Sequence, residues 1–318
     1  MSSQKRSGQA PFIFEHRPDL YTLPAEVLDS EVDLHGGFAA DKREGFGQLY
    51  YGMPGCGILR IEADLGKQQL ITLPDTLTPM NFHSTKIGTF EGKWRLFLAA
   101  NNDEMVAVIT LDGNLDFVLS RPEFEQYQAA DTPYRPTDTV LVENQLYIAD
   151  GYGSNYISSA DVTTRQWTGI FGGTTEDAHE HGKFATAHGI NLSHDHHHLV
   201  IADRPSSRVQ VHDFDGGFVA SHQLPTGSWP CGIDTIEHDG RWLSVIGSLE
   251  DPDKERPAPI YIVDAVTYTV LSTIRPQEDL GIEGIQHLHN VVWHVHNSQL
   301  YLVCQSWNPG HYFVLALV

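Results

Sequence analysis

Apolar and polar residues alternate over short stretches along most of this chain, and Gly, Asp, Asn and Pro separate one stretch from the next. The segments 145–149 (QLYIA) and 299–303 (QLYLV) are typical. A period of two residues predicts β-strands that bury one face. A helical period is not sustained over a dozen residues, and at most one helical turn is predicted, within 123–130. The chain is therefore predicted to be all-β.

The predicted strands recur as a unit that is repeated six times. Each unit begins with a short strand, and a second and a third strand follow it. The residues that open the first strands lie 43 to 58 positions apart: His35, His83, Thr137, His188, Cys231 and His289. Six units of this length with several strands each are typical of a six-bladed β-propeller. Two stacked β-sandwiches would also be all-β, but they would not explain the sixfold recurrence.

The two ends of the chain are predicted to close the ring of blades. The sequence stops at the third strand of the sixth unit, and the strand-like segments 11–15 and 20–23 are candidates for the missing outer strand. Such pairing would remove a free sheet edge that invites aggregation. We therefore expect one domain over residues 1–318, in which the polar residues 1–10 are disordered.

Four of the six opening residues are histidines, in a chain that contains 18 histidines. The innermost strand of every propeller blade lines the central channel, so equivalent positions form a ring around one axis. Neutral imidazoles that converge on an axis bind divalent transition metals such as Zn, Fe, Mn or Cu. We expect His83, His188 and His289 to hold such an ion. His35, from the least regular unit, would add a fourth ligand.

Other histidines are weaker candidates for the site. His287 lies two positions before His289 and would point to the same side of a regular strand, so it is a candidate ligand or a partner of the ligands. The histidines of segments 179–181 and 194–198 fall in predicted loops, and those at positions 294 and 296 fall on a predicted solvated face or turn. We assign these no role in the site.

Composition and charge narrow the functions that such a fold is expected to serve. Of 318 residues, 41% are hydrophobic, and 20 basic against 41 acidic residues give a net charge of −21. This charge argues against nucleic acid or an anionic membrane as a partner. The sequence shows no secretory signal, no apolar run of membrane-spanning length and no CxxC motif among its three cysteines. These features favour the cytoplasm, and they leave the oligomeric state open.

Two parts of the chain resemble a known family. The first joins residues 135–140 (RPTDTV) to 146–155 (LYIADGYGSN), and the second joins residues 188–190 (HGI) to 200–210 (VIADRPSSRVQ). Both resemble the NHL-repeat propellers, and in particular the peptidyl-α-hydroxyglycine α-amidating lyases. The order of these segments matches that family over most of the chain.

This resemblance implies a six-bladed propeller with a zinc ion on its axis. The zinc would be held by His83, His188 and His289. The resemblance further implies that Tyr152 is the catalytic base or acid and that Arg204 positions the substrate.

The chain also departs from the family in three features. The family's second active-site arginine has no counterpart near residues 48–57. Asn290 stands where the family has an aspartate for a structural calcium ion, which argues against that calcium site. The secretory context of the family is missing as well. We therefore expect a cytoplasmic relative whose chemistry or substrate is altered.

The polar residues near the two motifs have structural alternatives. Tyr152 follows a glycine at a tight turn, where a metal and an arginine would stabilise its phenolate; otherwise it is a packing residue. Arg204 would grip a substrate carboxylate with two parallel bonds, or it would pair with Asp203 or Asp150, which are candidates for supporting the site. Asp138 would support the site too, or would accept a hydrogen bond from a neighbouring strand.

These predictions indicate a metal-dependent lyase that acts on a small molecule. The substrate would be a carbinolamide or a related α-hydroxy acid, with a hydroxyl for the metal and a carboxylate for Arg204. The alternatives are a lactone or ester hydrolase in the same fold, an iron-dependent oxygenase, and a non-catalytic NHL module. Zinc would favour the lyase or the hydrolase, and iron would favour redox chemistry.

Overall fold

Six antiparallel sheets follow one another along the chain, and each forms one blade of a β-propeller. The computed structural model describes residues 5–28, 36–129, 131–307 and 312–318. Each of the first five sheets contains four strands in sequence order, and the sixth contains five. The prediction of a six-bladed propeller is confirmed.

The strands of the first three blades are β3 (Phe38–Ala40), β4 (Leu49–Met53), β5 (Gly57–Ile61) and β6 (Gln68–Ile71); β7 (Phe82–Phe90), β8 (Lys93–Ala100), β9 (Met105–Thr110) and β10 (Leu115–Ser120); and β11 (Asp138–Val142), β12 (Gln145–Ala149), β13 (Tyr156–Asp161) and β14 (Gln166–Gly172). Those of the last three are β15 (Ala187–Leu192), β16 (Leu199–Asp203), β17 (Arg208–His212) and β18 (Phe218–Gln223); β19 (Pro230–His238), β20 (Arg241–Ser248), β21 (Ile260–Asp264) and β22 (Val270–Ile274); and β23 (His287–His296), β24 (Gln299–Trp307) and β25 (Tyr312–Leu317), with β1 (Arg6–Gln9) and β2 (Phe12–His16). Helical structure in the described residues is limited to α1 (Ala25–Leu28) and two single-turn 3-10 helices at Pro18–Leu20 and Glu125–Tyr127.

The hydrophobic core lies between neighbouring blades. In blade 4, every residue of β16 and β17 is buried, whereas β18 at the outer edge is largely exposed or half-buried. The middle strands are covered on both faces, because each sheet packs against the blade before it and the blade after it. This is why the second and third strands of each unit carry nearly continuous apolar runs in the sequence.

The N-terminal strand closes the ring, as the sequence predicts. β2 pairs antiparallel with β25, with Phe14 opposite Leu317 and His16 opposite Leu315. The other candidate, residues 20–23, forms no strand. Pro18 begins a 3-10 helix there, and its fixed backbone angle suits a helical start.

The prediction that residues 1–10 are disordered is wrong for Arg6–Gln9, which form β1 at the outer edge of blade 6. Hydrogen bonds to the neighbouring blade 5 and to the loop that follows it hold this strand. The Ser7 hydroxyl donates to the Asp279 carboxylate at 2.6 Å, and the Gln9 backbone N–H donates to the Ser272 hydroxyl at 2.8 Å. The polar composition that suggested disorder instead supplies side-chain and backbone hydrogen bonds.

Hydrogen bonds from the innermost strands connect every pair of neighbouring blades around the axis. Each involves a side chain of one blade and the backbone of the next. The six are Asn290 Oδ1 with Phe38 N–H, Thr85 Oγ1 with Gly52 N–H, His83 Nδ1 with the Thr137 carbonyl, Asp138 Oδ2 with Ile190 N–H, Asn191 Nδ2 with the Ile233 carbonyl, and Asp234 Oδ2 with Trp293 N–H. Their lengths of 2.6 to 3.1 Å show that polar residues, as well as apolar packing, fix the channel wall.

Candidate metal centre

Three histidines occupy equivalent irregularities at the start of their innermost strands. Pairing between β7 and β8 passes from Phe82 to Ser84 and skips His83. In the same way, pairing in blade 4 skips His188, and pairing in blade 6 skips His289. A β-bulge frees one residue from the ladder and redirects its side chain. The three bulges bring these side chains together on the axis.

The imidazoles of His83, His188 and His289 meet through their Nε2 atoms. The Nε2 atom of His83 lies 3.2 Å from that of His188 and 3.1 Å from that of His289. The three ring centroids are 4.6 to 4.8 Å apart, and each residue is at most 3% exposed. The three predicted ligands therefore form one buried group that has the spacing to hold a metal ion.

The hydrogen bonding of His83 favours metal binding. Its Nδ1–H donates to the Thr137 carbonyl at 2.6 Å, which leaves the lone pair on Nε2 directed at the other two rings. Two nitrogens at about 2.0–2.1 Å from a tetrahedral zinc ion are roughly 3.3 Å apart, close to the separations seen here. The donor set fits a divalent transition metal, and it does not by itself select one ion.

Two further histidines were predicted to lie at or near the site. His35 lies outside the described residues. His287 does not join the three-histidine group, because its Nδ1–H donates to the Leu249 carbonyl at 2.7 Å and its ring packs beside Trp307. The prediction assumed regular alternation between positions 287 and 289, and the bulge at His289 breaks that alternation.

Tyr152 and Arg204 extend the group of imidazoles. The Tyr152 hydroxyl lies 3.3 Å from His188 Nε2, and Arg204 Nη1 donates to this hydroxyl at 2.7 Å. Tyr152 comes from the loop between β12 and β13, and Arg204 from the loop between β16 and β17. The structure thus places Tyr152 beside the three-histidine group and Arg204 beside Tyr152.

Asp150 and Asp203 anchor the loops that carry Tyr152 and Arg204. Asp150 accepts hydrogen bonds from the Tyr127 hydroxyl and from the backbone N–H of Ser154 and Arg135.

Asp203 accepts from two backbone N–H groups, those of Ala185 and Thr186, and pairs with Arg208 at 2.9 Å. The alternative in which Arg204 pairs with either aspartate is therefore wrong.

Asp138 connects blades rather than touching the reactive side of the site. Its carboxylate accepts the Ile190 N–H at 3.0 Å and lies 3.2 Å from Lys86 Nζ. This confirms the predicted bond to a neighbouring strand. Asp138 also lines the small void beside the three histidines, on the side away from Tyr152.

Cys231 belongs to the site, although it was not among the predicted site residues. Arg204 Nη2 lies 3.1 Å from Cys231 Sγ, and the thiol lies 3.4 Å from the Leu288 carbonyl. The signal was available in the sequence, because Cys231 occupies the opening position of blade 5, equivalent to His188 and His289. A pairing irregularity lies there too, and it skips both Cys231 and Gly232.

Arg204, Tyr152 and Cys231 are removed from solvent, and burial shifts the pKa values of the tyrosine and the thiol. The Arg204 side chain is only 4% exposed, its Nε atom has no hydrogen-bond partner among the described residues, and no described carboxylate forms an ion pair with it. Burial raises the pKa of Tyr152 above its usual value of 10, and the Arg204 guanidinium opposes this shift. Burial likewise raises the pKa of the Cys231 thiol, again against Arg204. The site therefore combines a buried cation with two neutral hydrogen-bond acceptors, Tyr152 and Cys231.

Comparison with solved structures recovers the same architecture. A gluconolactonase from Xanthomonas campestris matches all of this chain and 96% of its own, with a TM-score of 0.62 and 13% identity. The β-propeller domain of Swd1 from Myceliophteria thermophila matches all of this chain and 97% of its own, with a TM-score of 0.55 and 10% identity. What they share with this protein is the propeller fold.

The remaining comparisons do not indicate a family for this chain. The chain spans 55% of a Kuenenia stuttgartiensis hydrazine synthase chain, which covers 69% of the present chain at a TM-score of 0.49 and 15% identity, below the similarity that indicates a shared fold. No protein-family model matches the sequence, and no curated protein matches it. In the described part of the chain, none of the helices has the length and apolar character needed to cross a membrane.

Proposed function

We propose that this protein is a metal-dependent lyase that cleaves a carbinolamide bearing a carboxylate. The observation that carries the proposal is one continuous set of contacts. Three imidazole nitrogens converge, the Tyr152 hydroxyl lies 3.3 Å from one of them, and Arg204 donates to that hydroxyl at 2.7 Å. A metal-binding group, a proton carrier and an anion-binding group are adjacent.

Arg204 supports an anionic substrate. A buried guanidinium is costly unless its charge and its N–H groups are matched. Among the described residues its partners are the neutral Tyr152 and Cys231 side chains, while its Nε has none. A carboxylate would supply both the counter-charge and the acceptor oxygens. A small α-hydroxy acid derivative fits this requirement despite the net charge of −21 on the whole chain.

A divalent ion bound by the three histidines would act as a Lewis acid that lowers the pKa of the substrate hydroxyl. Arg204 would hold the carboxylate and fix the substrate carbon beside Tyr152. The Tyr152 oxygen would take the hydroxyl proton as the carbon–oxygen double bond forms and the carbon–nitrogen bond breaks. The same proton would then pass to the departing nitrogen. An N-acyl-α-hydroxyglycine would give an amide and glyoxylate, with no net gain or loss of protons.

The protonation of Tyr152 is consistent with this division of roles. Burial raises its pKa above the usual value of 10, so without further positive charge the phenol stays protonated at neutral pH. Arg204 acts in the opposite direction, and a bound cation would add to that effect. The group would thus act as a base only when the metal site is filled.

The proposal is tested by glyoxylate release. Protein loaded separately with zinc, iron or manganese is incubated with N-acyl-α-hydroxyglycines and ureido analogues, and glyoxylate is measured over time. We expect turnover by the wild type and a large loss in Tyr152→Phe. The matched control is Tyr156→Phe, which alters a tyrosine of β13 outside the set of contacts.

A parallel panel of lactones and esters, followed by acid release, covers the hydrolase alternative. Acid release without glyoxylate would replace the lyase with a hydrolase, and oxygen consumption by the iron form would indicate an oxygenase. Absence of both turnover and bound metal would leave a binding module.

The cytoplasm is the compartment that we propose for this activity. Cys56, Cys231 and Cys304 are all free thiols, and Cys231 lies within the site. Free cysteines without a disulfide partner suit a reducing environment.

A further inference from the structure

A second ring of residues lies directly beyond the three histidines along the channel. It is formed by the residues that follow the opening positions on the innermost strands: Ser84, Asp138, Gly189, Gly232 and Asn290. Together with Thr137 and the three imidazoles, they line a void of about 10 Å³. Tyr152 approaches the imidazoles from the loops at the beginning of these strands, so the void lies on the opposite side.

The polar atoms around this void are incompletely matched within the protein. Ser84 is 4% exposed, and its hydroxyl has no hydrogen-bond partner among the described residues. The Asn290 amide oxygen accepts from Phe38, but its nitrogen makes no hydrogen bond within the described part of the chain. The Asp138 carboxylate also lines the void, where it already accepts hydrogen bonds from the Thr139 and Ile190 N–H groups and pairs with Lys86 at 3.2 Å. A donor–acceptor hydroxyl, an N–H donor and a carboxylate are the partners that a buried water needs.

Two glycines beside the void allow the neighbouring blades to approach closely. A β-carbon at Gly189 would stand 2.1 Å from the Cys231 carbonyl oxygen, and one at Gly232 would stand 2.5 Å from the Asn290 amide nitrogen. Neither position accepts a side chain without displacement of its neighbours. The void of about 10 Å³ lies at the lower limit for one water molecule, since about 10–15 Å³ of probe-filled space is the minimum.

We infer that this second ring binds one water molecule, and that the water provides an additional ligand position for the metal on the side away from Tyr152. Its hydrogens are directed to Ser84 and Asp138, and its oxygen faces the three imidazoles. An ion held by the three histidines would then have at least five ligands when solvent or substrate also binds on the Tyr152 side, rather than the four of a closed tetrahedral site. The inference rests on the proposed metal site, but not on the lyase chemistry.

The test uses cobalt(II) as the probe, because its visible absorption is intense in four-coordinate sites and weak in five- and six-coordinate ones. Cobalt is added to metal-free wild type, Ser84→Val, Ser84→Ala and the control Ser158→Val, which alters a buried serine on the third strand of blade 3. We expect a weak spectrum for the wild type and for Ser158→Val. Ser84→Val fills the void and is expected to increase the band intensity several-fold. Ser84→Ala keeps the volume and is expected to lie between them.

The possible results separate the two proposals. Stoichiometric cobalt binding with identical spectra for the wild type and Ser84→Val would overturn the water site and leave the metal site intact. Failure of the wild type to bind cobalt would overturn both. If Ser84→Val does not fold, a crystal structure of the cobalt-loaded wild type decides the matter. Density for one water beside Ser84 would support the inference, and a dry void would reject it.

Discussion

At the residue scale, the pair His287 and His289 shows how much one backbone irregularity decides. The two are separated by one residue on β23, yet only His289 reaches the axis, because the bulge at that position turns its side chain inward. His287 instead donates to the Leu249 carbonyl. The identity of a histidine in this chain therefore says less about its role than the local pairing of its strand.

This difference gives the first prediction. His289→Ala removes one of three ligands, and we expect the affinity for zinc or cobalt to fall by on the order of 100-fold or more, since loss of a supporting partner alone costs 10- to 100-fold. His287→Ala is the matched control and should retain stoichiometric metal. Isothermal titration and elemental analysis of both variants measure this. Equal losses in the two variants would show that His287 is a ligand after all.

Cys231 leads to a second prediction at this scale. Cys231→Ala removes the sulfur that holds Arg204 Nη2 at 3.1 Å, so the guanidinium loses one of its two described side-chain partners. A hydrogen bond to a charged group contributes about 1.5–3 kcal/mol, and we expect a decrease in kcat/KM of roughly 10- to 100-fold. Cys231→Ser keeps an acceptor and should recover most of the activity.

Steady-state glyoxylate assays measure this effect, and the metal content should not change in either variant. Cys56→Ser, which alters a half-buried thiol of blade 1, serves as the control. If Cys231→Ala has wild-type kinetics, Arg204 is positioned by other contacts.

At the element scale, most of the fold and only part of the site followed from the sequence. Alternating apolar residues located the second and third strands, because in a propeller these strands are sandwiched between blades. Pairing irregularities leave no such pattern, so the orientation of His287 was not predictable from periodicity. The role of Cys231 could have been suspected only from its opening position in the repeat. The sequence offered Asp150 and Asp203 as possible partners of Arg204, because it does not show that Asp203 is already paired with Arg208. β1 is held by hydrogen bonds to the neighbouring blade. Amino-acid composition gives no information about such bonds, which is why disorder was predicted there.

The closing strand β2 gives a third prediction. Phe14 is fully buried and packs near Trp293 in the core shared by blades 5 and 6. Phe14→Ala should lower the free energy of unfolding by about 3–5 kcal/mol, the usual cost of removing a buried aromatic side chain. Leu115→Ala, at a 40% exposed position on an outer strand, should cost less than about 1 kcal/mol. Urea denaturation of both variants tests whether the N-terminal strand is integral to the ring.

His212 on β17 gives a fourth prediction, on the pH dependence of stability. Burial lowers its pKa below 6.5, and a hydrogen bond to the Gly216 carbonyl offsets this only in part. The neutral ring packs against Phe171, Phe184 and Phe218.

A depressed folded-state pKa means that this stability is present above pH 6.5 and is lost as the pH falls through the folded value. We expect the unfolding free energy of the wild type to fall more steeply between pH 7.5 and 5 than that of His212→Phe. Parallel curves for the two proteins would exclude His212 as a contributor.

At the scale of the whole molecule, the three histidines bring together blades 2, 4 and 6 at the centre of a closed ring. The six hydrogen bonds around the axis already connect each blade to its neighbour, so an ion adds a contact between blades that are not adjacent. The bulges that place the ligands also remove pairing at the start of three strands. The centre of the propeller is thus arranged for ligand binding at the expense of local sheet regularity.

This arrangement predicts that the ion stabilises the whole ring. A ligand that binds only the folded state adds about 2.7 kcal/mol when its free concentration is 100 times its Kd, which corresponds to a Tm increase of a few degrees for a domain of this size. Chelation should therefore lower the Tm of metal-loaded wild type, and re-addition of metal should restore it. His188→Ala should have the lower Tm throughout and should not respond to chelator. If neither treatment changes the Tm of the wild type, the ion does not bind within the folded ring. The three imidazoles would then contribute to the channel wall only by packing.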